Sequence, residues 1–171
     1  MDDYLLDTCT ISRWLLPSKK DHAVVADFIN NLPQNSAKYL SFINLGELRF
    51  GEKLGEFRSS SSAILKLQQD LEKAYHLPTL KPTAHTAKYY ATIKATLANR
   101  RCQKKVKNFS KLRWPEGWVD ELTGMALHID ENDIWLASQA AERNLVLVTT
   151  DKGLKTLGDT MPENVRVKYL S

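Results

Sequence analysis

Apolar and polar positions follow two rhythms along this chain. Short apolar runs predict strands, and the longer stretches between them carry apolar residues three and four apart, the spacing of helices. Residues 4–7 predict a short buried strand ending on Asp7, and residues 11–16 a helix stopped by Pro17. Val24, Val25, Phe28, Ile29 and Leu32 sit at helical spacing before Pro33. A second strand is expected over residues 39–43. Asn44 then offers an N-cap for a helix to about residue 54, with Glu47 at its N3 position. A serine-rich break at 59–62 leads into a helix with Ile64, Leu65, Leu67, Leu71 and Ala74 as its apolar positions, ended by His76-Leu77-Pro78. Residues 79–81 give a weak strand pattern. Residues 83–100 give a strong helical one, with Ala87, Tyr90, Ala91, Ile93, Lys94 and Leu97 on one broad face.

From residue 101 to about 118 the periodicity fails, as in an inserted arm. Helical spacing returns at 119–127 and at 133–143. Residues 146–149 form a nearly continuous β-rich run, the mark of a strand covered on both faces, and residues 165–167 predict a last strand. Strands alternating with helices predict an α/β fold: a three-layer sandwich around a central, mainly parallel, twisted sheet. Such sheets bind ligands beyond the carboxyl ends of their strands, near the topological switch point.

Composition adds bounds. The 171 residues suit one domain, 1–171, with the arm at about 101–118 as its insertion. At 43% hydrophobic and 26% charged the chain is ordinary for a soluble protein, and no apolar run approaches the ~18 residues of a membrane span. The start, Met1-Asp2-Asp3-Tyr4, is acidic and enters a strand pattern at once, unlike a signal peptide. Cys9 and Cys102 are too few for a disulfide framework and too far apart for a zinc knuckle. A reduced, cytoplasmic setting is expected, with Cys9 as a small buried residue. The net charge of +4 has one origin. Arg100, Arg101, Lys104, Lys105, Lys107, Lys111 and Arg113 fall together with no acid among them; without those seven, 17 basic residues face 20 acidic ones. A basic block of this kind fits a polyanionic partner.

The chemistry lies in four carboxylates. Asp7 and Asp151 end strand patterns, Glu47 follows a third, and Asp133 opens the helix that feeds the 146–149 strand. Each has an ordinary explanation: Asp7 as a helix cap, Glu47 in a capping box with Asn44, Asp133 as a first-turn acid, Asp151 as a turn residue. All four at one sheet edge make an oxygen-rich pocket suited to Mg²⁺ or Mn²⁺. A metal there lowers the pKa of a bound water and stabilises charge on a phosphate, so phosphodiester hydrolysis needs no nucleophilic side chain. The four histidines lack metal-ligand spacing, no serine has a His–Asp partnership, and no Gly-rich phosphate loop occurs. Asp27, Glu72 and Glu142 lie inside helical patterns and read as solvated faces. A phosphatase of the haloacid dehalogenase type needs a second acid where Cys9 stands.

Leu5-Leu6-Asp7-Thr8, Asn44-Leu45-Gly46-Glu47-Leu48-Arg49-Phe50-Gly51, Asn132-Asp133-Ile134-Trp135-Leu136-Ala137 and Leu147-Val148-Thr149-Thr150-Asp151 together resemble the PIN-domain ribonucleases, most closely the VapC-type toxins of bacterial toxin–antitoxin pairs. The resemblance implies Asp7, Glu47, Asp133 and Asp151 as an acidic metal site, with Thr8, Asn44 and Thr149 as polar neighbours. It implies a Mg²⁺- or Mn²⁺-dependent endoribonuclease, a homodimer and a VapB-like antitoxin. Asn44 replaces the more usual Thr or Ser, Thr150 stands where many members have Asn, and the arm is longer than usual. The basic residues of the arm fit RNA phosphates, with Phe109, Trp114 or Trp118 stacking on bases; alternatively those aromatics pack the arm down. An RNA-processing nuclease outside any toxin–antitoxin pair, or a non-catalytic binding module, remains an alternative.

Overall fold

The computed structural model describes residues 2–57, 61–102 and 109–171. Five strands form one parallel sheet: β1 (Tyr4–Leu6), β2 (Lys38–Ser41), β3 (Thr79–Leu80), β4 (Val146–Thr149) and β5 (Arg166–Tyr169), in the order β3-β2-β1-β4-β5. The helices are α1 (Thr8–Leu15), α2 (His22–Asn30), α3 (Phe42–Glu56), α4 (Ser61–Tyr75), α5 (Ala84–Arg101), α6 (Glu131–Glu142) and α7 (Lys152–Thr160). The α/β expectation holds, and all pairings between the five strands are parallel; an isolated antiparallel bridge joins Val119 and Ala126 outside the sheet.

Side-chain alternation along the central strands builds the layers. Leu5 and Leu147 face a core filled by Ile93 and Leu97 of α5, Ile134 and Ala137 of α6, and Leu154 and Leu157 of α7. Their neighbours Leu6 and Val148 face the opposite core, with Ile11 of α1, Val25 and Ile29 of α2, Leu48 of α3 and Leu71 of α4. The sheet thus lies between two helical layers. The chain builds β1, β2 and β3 outward on one side, then crosses to add β4 and β5 on the other. The direction reverses between β1 and β4, whose registered pairs are Leu5 with Leu147 and Leu6 with Val148. That pair of strand ends is the switch point.

Three local expectations fail for visible reasons, and one helix goes unforeseen. The N-cap of α3 is Ser41, not Asn44: the Ser41 hydroxyl accepts from the Ile43 N–H (3.0 Å), and Asn44 Oδ1 accepts from the Ser41 N–H (2.9 Å). The helix therefore begins at Phe42, and Glu47 lies beyond its first turn. Residues 119–127 form no helix. Asp120 Oδ1 accepts from the Leu122 N–H (2.8 Å), the Gly124 N–H bonds back to the Asp120 carbonyl (2.7 Å), and Gly124 adopts a left-handed φ of 71°. This local bonding competes with helix formation. Helix α7 was masked in the sequence by Gly153 and Gly158, which are there for close packing: a β carbon on Gly158 would meet Val167 Cγ2 at 2.5 Å. Glu142 is not a solvated acid, since Thr83, Thr86 and Arg143 all donate to it.

The basic segment also divides. Arg100 donates to Glu163 Oε1 (2.7 Å), and Arg101 pairs with Asp120 (2.7 Å) while bonding Thr160 Oγ1 (3.0 and 2.8 Å). Both therefore pin the end of α5 to neighbouring structure, and their part in RNA binding is not supported. Lys104, Lys105 and Lys107 lie outside the described residues. Short 3₁₀ turns follow at Phe109–Leu112 and Pro115–Gly117. Trp118 is buried in the α5–α6 core, as the packing alternative holds, whereas Trp114 is exposed with the Arg113 guanidinium 5.2 Å from its ring centroid.

Candidate acidic site

Asp7 leaves β1 with an extended backbone and caps α1, its Oδ1 accepting from the Thr10 N–H. Its other oxygen accepts from the Thr149 hydroxyl, at the end of the adjacent strand β4. The same hydroxyl accepts from the Asp151 N–H (2.8 Å), so Thr149 ties two of the acids together. Asp151 in turn caps α7, its Oδ1 accepting from the N–H groups of Gly153 (2.6 Å) and Leu154 (3.2 Å). The ordinary capping roles of Asp7 and Asp151 are therefore real, and they are also what aims both carboxylates at the switch point.

Glu47 reaches the site from α3. Its Oε2 accepts from the Thr8 hydroxyl, and its Oε1 from Asn132 Nδ2 (2.7 Å). Asn44 Nδ2 donates to the same Thr8 hydroxyl (2.8 Å). Asn44 thus uses its carbonyl to close the α3 cap and its amide to orient Thr8, a division of labour that needs a two-headed side chain. Thr8, Asn44 and Thr149, singled out from the sequence, all touch the site.

The first turn of α6 is used at each of four consecutive positions. Asp130 caps the helix in a reciprocal box with Asp133 (2.8 and 3.0 Å). Glu131 accepts from Lys94 Nζ (2.7 Å) and from the Tyr90 hydroxyl, fixing the turn to α5. Asn132 holds Glu47, and Asp133 carries the fourth acid. Asp133 is thus the third residue of its helix and not its first. The parts of Asp130 and Asn132 were not foreseen; the signal for Asn132 is an amide directly before the acid, in the turn that faces α3.

Asp133 and Asp7 both lie in the field of neighbouring acids. Burial pushes the Asp133 carboxyl up to about 8, and Asp130, Asp151 and Asp7 add like-charge repulsion. Burial likewise raises Asp7, opposed by bonds from Thr10 and Thr149 and assisted by the charge of Asp151. Cys9 is solvent-exposed, against expectation, because α1 turns it out beside Asp7. Partial burial of its sulfur, with the charges of Asp7 and Asp151, lifts it to about 11, so it is a protonated thiol at neutral pH.

Among the described residues no three acidic, histidine or cysteine side chains stand close enough, as they are, to hold one metal ion together. The donor chemistry nevertheless fits a hard divalent cation. Every candidate ligand is a carboxylate oxygen, and the like-charge repulsion felt by Asp133 and Asp7 is what such a cation relieves.

A family model described as the PIN domain matches residues 4–159. The chain belongs to the PIN domain family. No curated protein sequence matches it. Its fold is shared by solved structures of low identity. VapBC2 from Rickettsia felis, bound to a DNA fragment from its promoter, is 20% identical with a TM-score of 0.65, covering 98% of both chains. FitAcB from Neisseria gonorrhoeae is 24% identical with a TM-score of 0.60, covering 96% of this PIN domain and 95% of that chain. DNA-bound VapBC from Salmonella typhimurium is 20% identical with a TM-score of 0.60, covering 99% and 98%. Among the described residues of this PIN domain, no helix is long and apolar enough to cross a membrane.

Proposed function

We propose that this PIN domain is a divalent-metal-dependent endoribonuclease that hydrolyses RNA phosphodiester bonds as the toxin of a toxin–antitoxin pair. The observation that carries the reading is that Thr149 joins Asp7 to Asp151 at the ends of β1 and β4, while the charges of both reach Asp133 and the adjacent Asn132 holds Glu47. These four residues would hold Mg²⁺ or Mn²⁺, which supplies a water of lowered pKa and stabilises charge on the phosphate.

The protein's own part is positional. Thr149 sets the spacing of Asp7 and Asp151, and Thr8 with Asn132 hold both oxygens of Glu47. None of them needs to attack the substrate. The paired antitoxin rests on the fold shared with VapBC complexes, and a homodimer is proposed on the family resemblance. Residues 1–171 act as one nuclease unit in a reducing cytoplasm, a setting that suits two cysteines, Cys9 and Cys102, that form no disulfide.

Purified protein should cleave single-stranded RNA with Mg²⁺ or Mn²⁺, and Asp7→Asn should not; equal cleavage by both would refute the assignment. A small antitoxin reading frame beside the gene, whose product co-purifies with the protein and silences cleavage, separates a toxin from an RNA-processing nuclease.

A further inference from the structure

An acidic site that acts on a polyanion needs cations within reach of the scissile bond. The basic segment at 100–113 does not supply them from its described start, since Arg100 and Arg101 are engaged elsewhere. A different group of cations shares a cleft with Thr8 and Cys9, the two residues that follow Asp7. Thr8, Cys9, Ser12, Arg13, Lys19 and Lys20 line a cleft of about 280 Å³ with no acid in its wall.

The cleft is built by two devices. Thr8 with Ser12 and Cys9 with Arg13 are two i, i+4 pairs on α1, so the four share one face. The loop after α1 then folds back over that face. Its backbone bonds run from the Leu16 N–H to the Ser12 carbonyl (3.0 Å), from Lys19 to Leu16 (3.0 Å) and from His22 to Lys19 (3.2 Å). His22 Nδ1 also meets the Arg13 carbonyl (2.7 Å). Lys19 and Lys20 are exposed and form no ion pair among the described residues. Two walls belong to the acidic site as well: Thr8 donates to Glu47, and Arg13 donates to Thr150, the neighbour of Asp151.

We propose that the Arg13–Lys19–Lys20 cleft is a phosphate subsite that holds the RNA backbone one or a few nucleotides from the phosphate at the acids. This assignment rests on the nuclease reading for its substrate, and it makes the α1–α2 loop a substrate-positioning element. Two lysines give point-charge contacts that are independent of base identity, so the subsite contributes affinity and register and leaves sequence choice to other surfaces.

The test uses the full chain, wild type and K19A/K20A, with K81A/K88A as a matched loss of two exposed lysines elsewhere. Binding of a single-stranded RNA 12-mer is measured by fluorescence anisotropy in EDTA at several salt concentrations, and cleavage of the same RNA is measured with Mn²⁺. K19A/K20A should bind about 5- to 20-fold more weakly. Its slope of log affinity against log salt should be shallower by about 1.4, the value for two contacts on a single strand. KM should rise with kcat little changed, and K81A/K88A should match wild type. Wild-type affinity, slope and KM in K19A/K20A overturn the subsite while leaving the nuclease reading standing. The expected binding change without cleavage by any form upholds the subsite and removes the nuclease. Failure of the wild type to bind RNA overturns both.

Discussion

Gly153 packs so tightly on the carbonyl of His128 that a β carbon there would stand 1.9 Å from the oxygen. The contact places the start of α7, capped by Asp151, against the segment that leads into α6 through Asp130 and on to Asp133. The spacing of two site acids is therefore set by a hydrogen atom. Since backbone must move to admit a methyl group, Gly153→Ala should cost about 2 kcal/mol. Thermal unfolding should show a midpoint lower by about 4–8 °C, and cleavage per folded molecule should fall further than stability does.

Thr149 offers a cleaner test of coupling between acids. Thr149→Val keeps the shape but removes the donor to Asp7 and the acceptor for the Asp151 N–H. Leaving those buried groups unpaired should cost about 1–3 kcal/mol. Losing a bond that favours the charged carboxylate raises Asp7 further. Manganese affinity, read by titration calorimetry, should weaken at neutral pH and recover partly as pH rises.

Asp133 is expected to oppose stability in the metal-free protein. Its carboxyl rises from 3.8 to about 8 on folding, so the folded chain binds a proton more tightly than the unfolded one. Stability carried by this group is complete below the unfolded value and is lost as pH climbs toward about 8. In EDTA, Asp133→Asn should therefore raise stability at pH 7 by about 1–3 kcal/mol and flatten its pH dependence, while abolishing cleavage. The capping bond to the Asp130 N–H survives, because an amide carbonyl accepts it equally well. A destabilised variant would show that the carboxylate is not strained by burial.

Arg101 belongs to a different class. Its guanidinium holds Asp120 and Thr160, so Arg101→Ala takes the counter-charge from a largely buried acid that keeps only its backbone donors. Denaturant unfolding should register a loss of about 2 kcal/mol. RNA affinity, measured where the variant is folded, should stay within twofold of wild type.

How far the sequence was readable depends on range. Strands β1 and β4 announce themselves because both faces of each are buried, and Asp7 and Asp151 follow directly as their terminal acids. Helix α7 stayed hidden because its glycines look like breaks until Val167 and His128 are seen pressing on them. Asn132 stands directly before Asp133, but nothing local names Glu47 as its partner, because 85 residues separate them. Arg100 and Arg101 show the opposite limit: a run of like charges reads as one surface, yet each of these two is paired with an acid, Glu163 and Asp120, that the run itself does not reveal.

The bond between Asp7 and Thr149 spans 142 residues, and that separation has a meaning for biosynthesis. A ribosome delivers Asp7 first and Glu47 soon after, but Asp133, β4 and Asp151 emerge near the end. Until β4 docks against β1, the nascent chain carries Asp7 without the Thr149 hydroxyl that holds it and ties it to Asp151. On the proposed nuclease reading, activity would arise only once residue 151 has been made, and translation of everything before it would leave time for an antitoxin to be waiting.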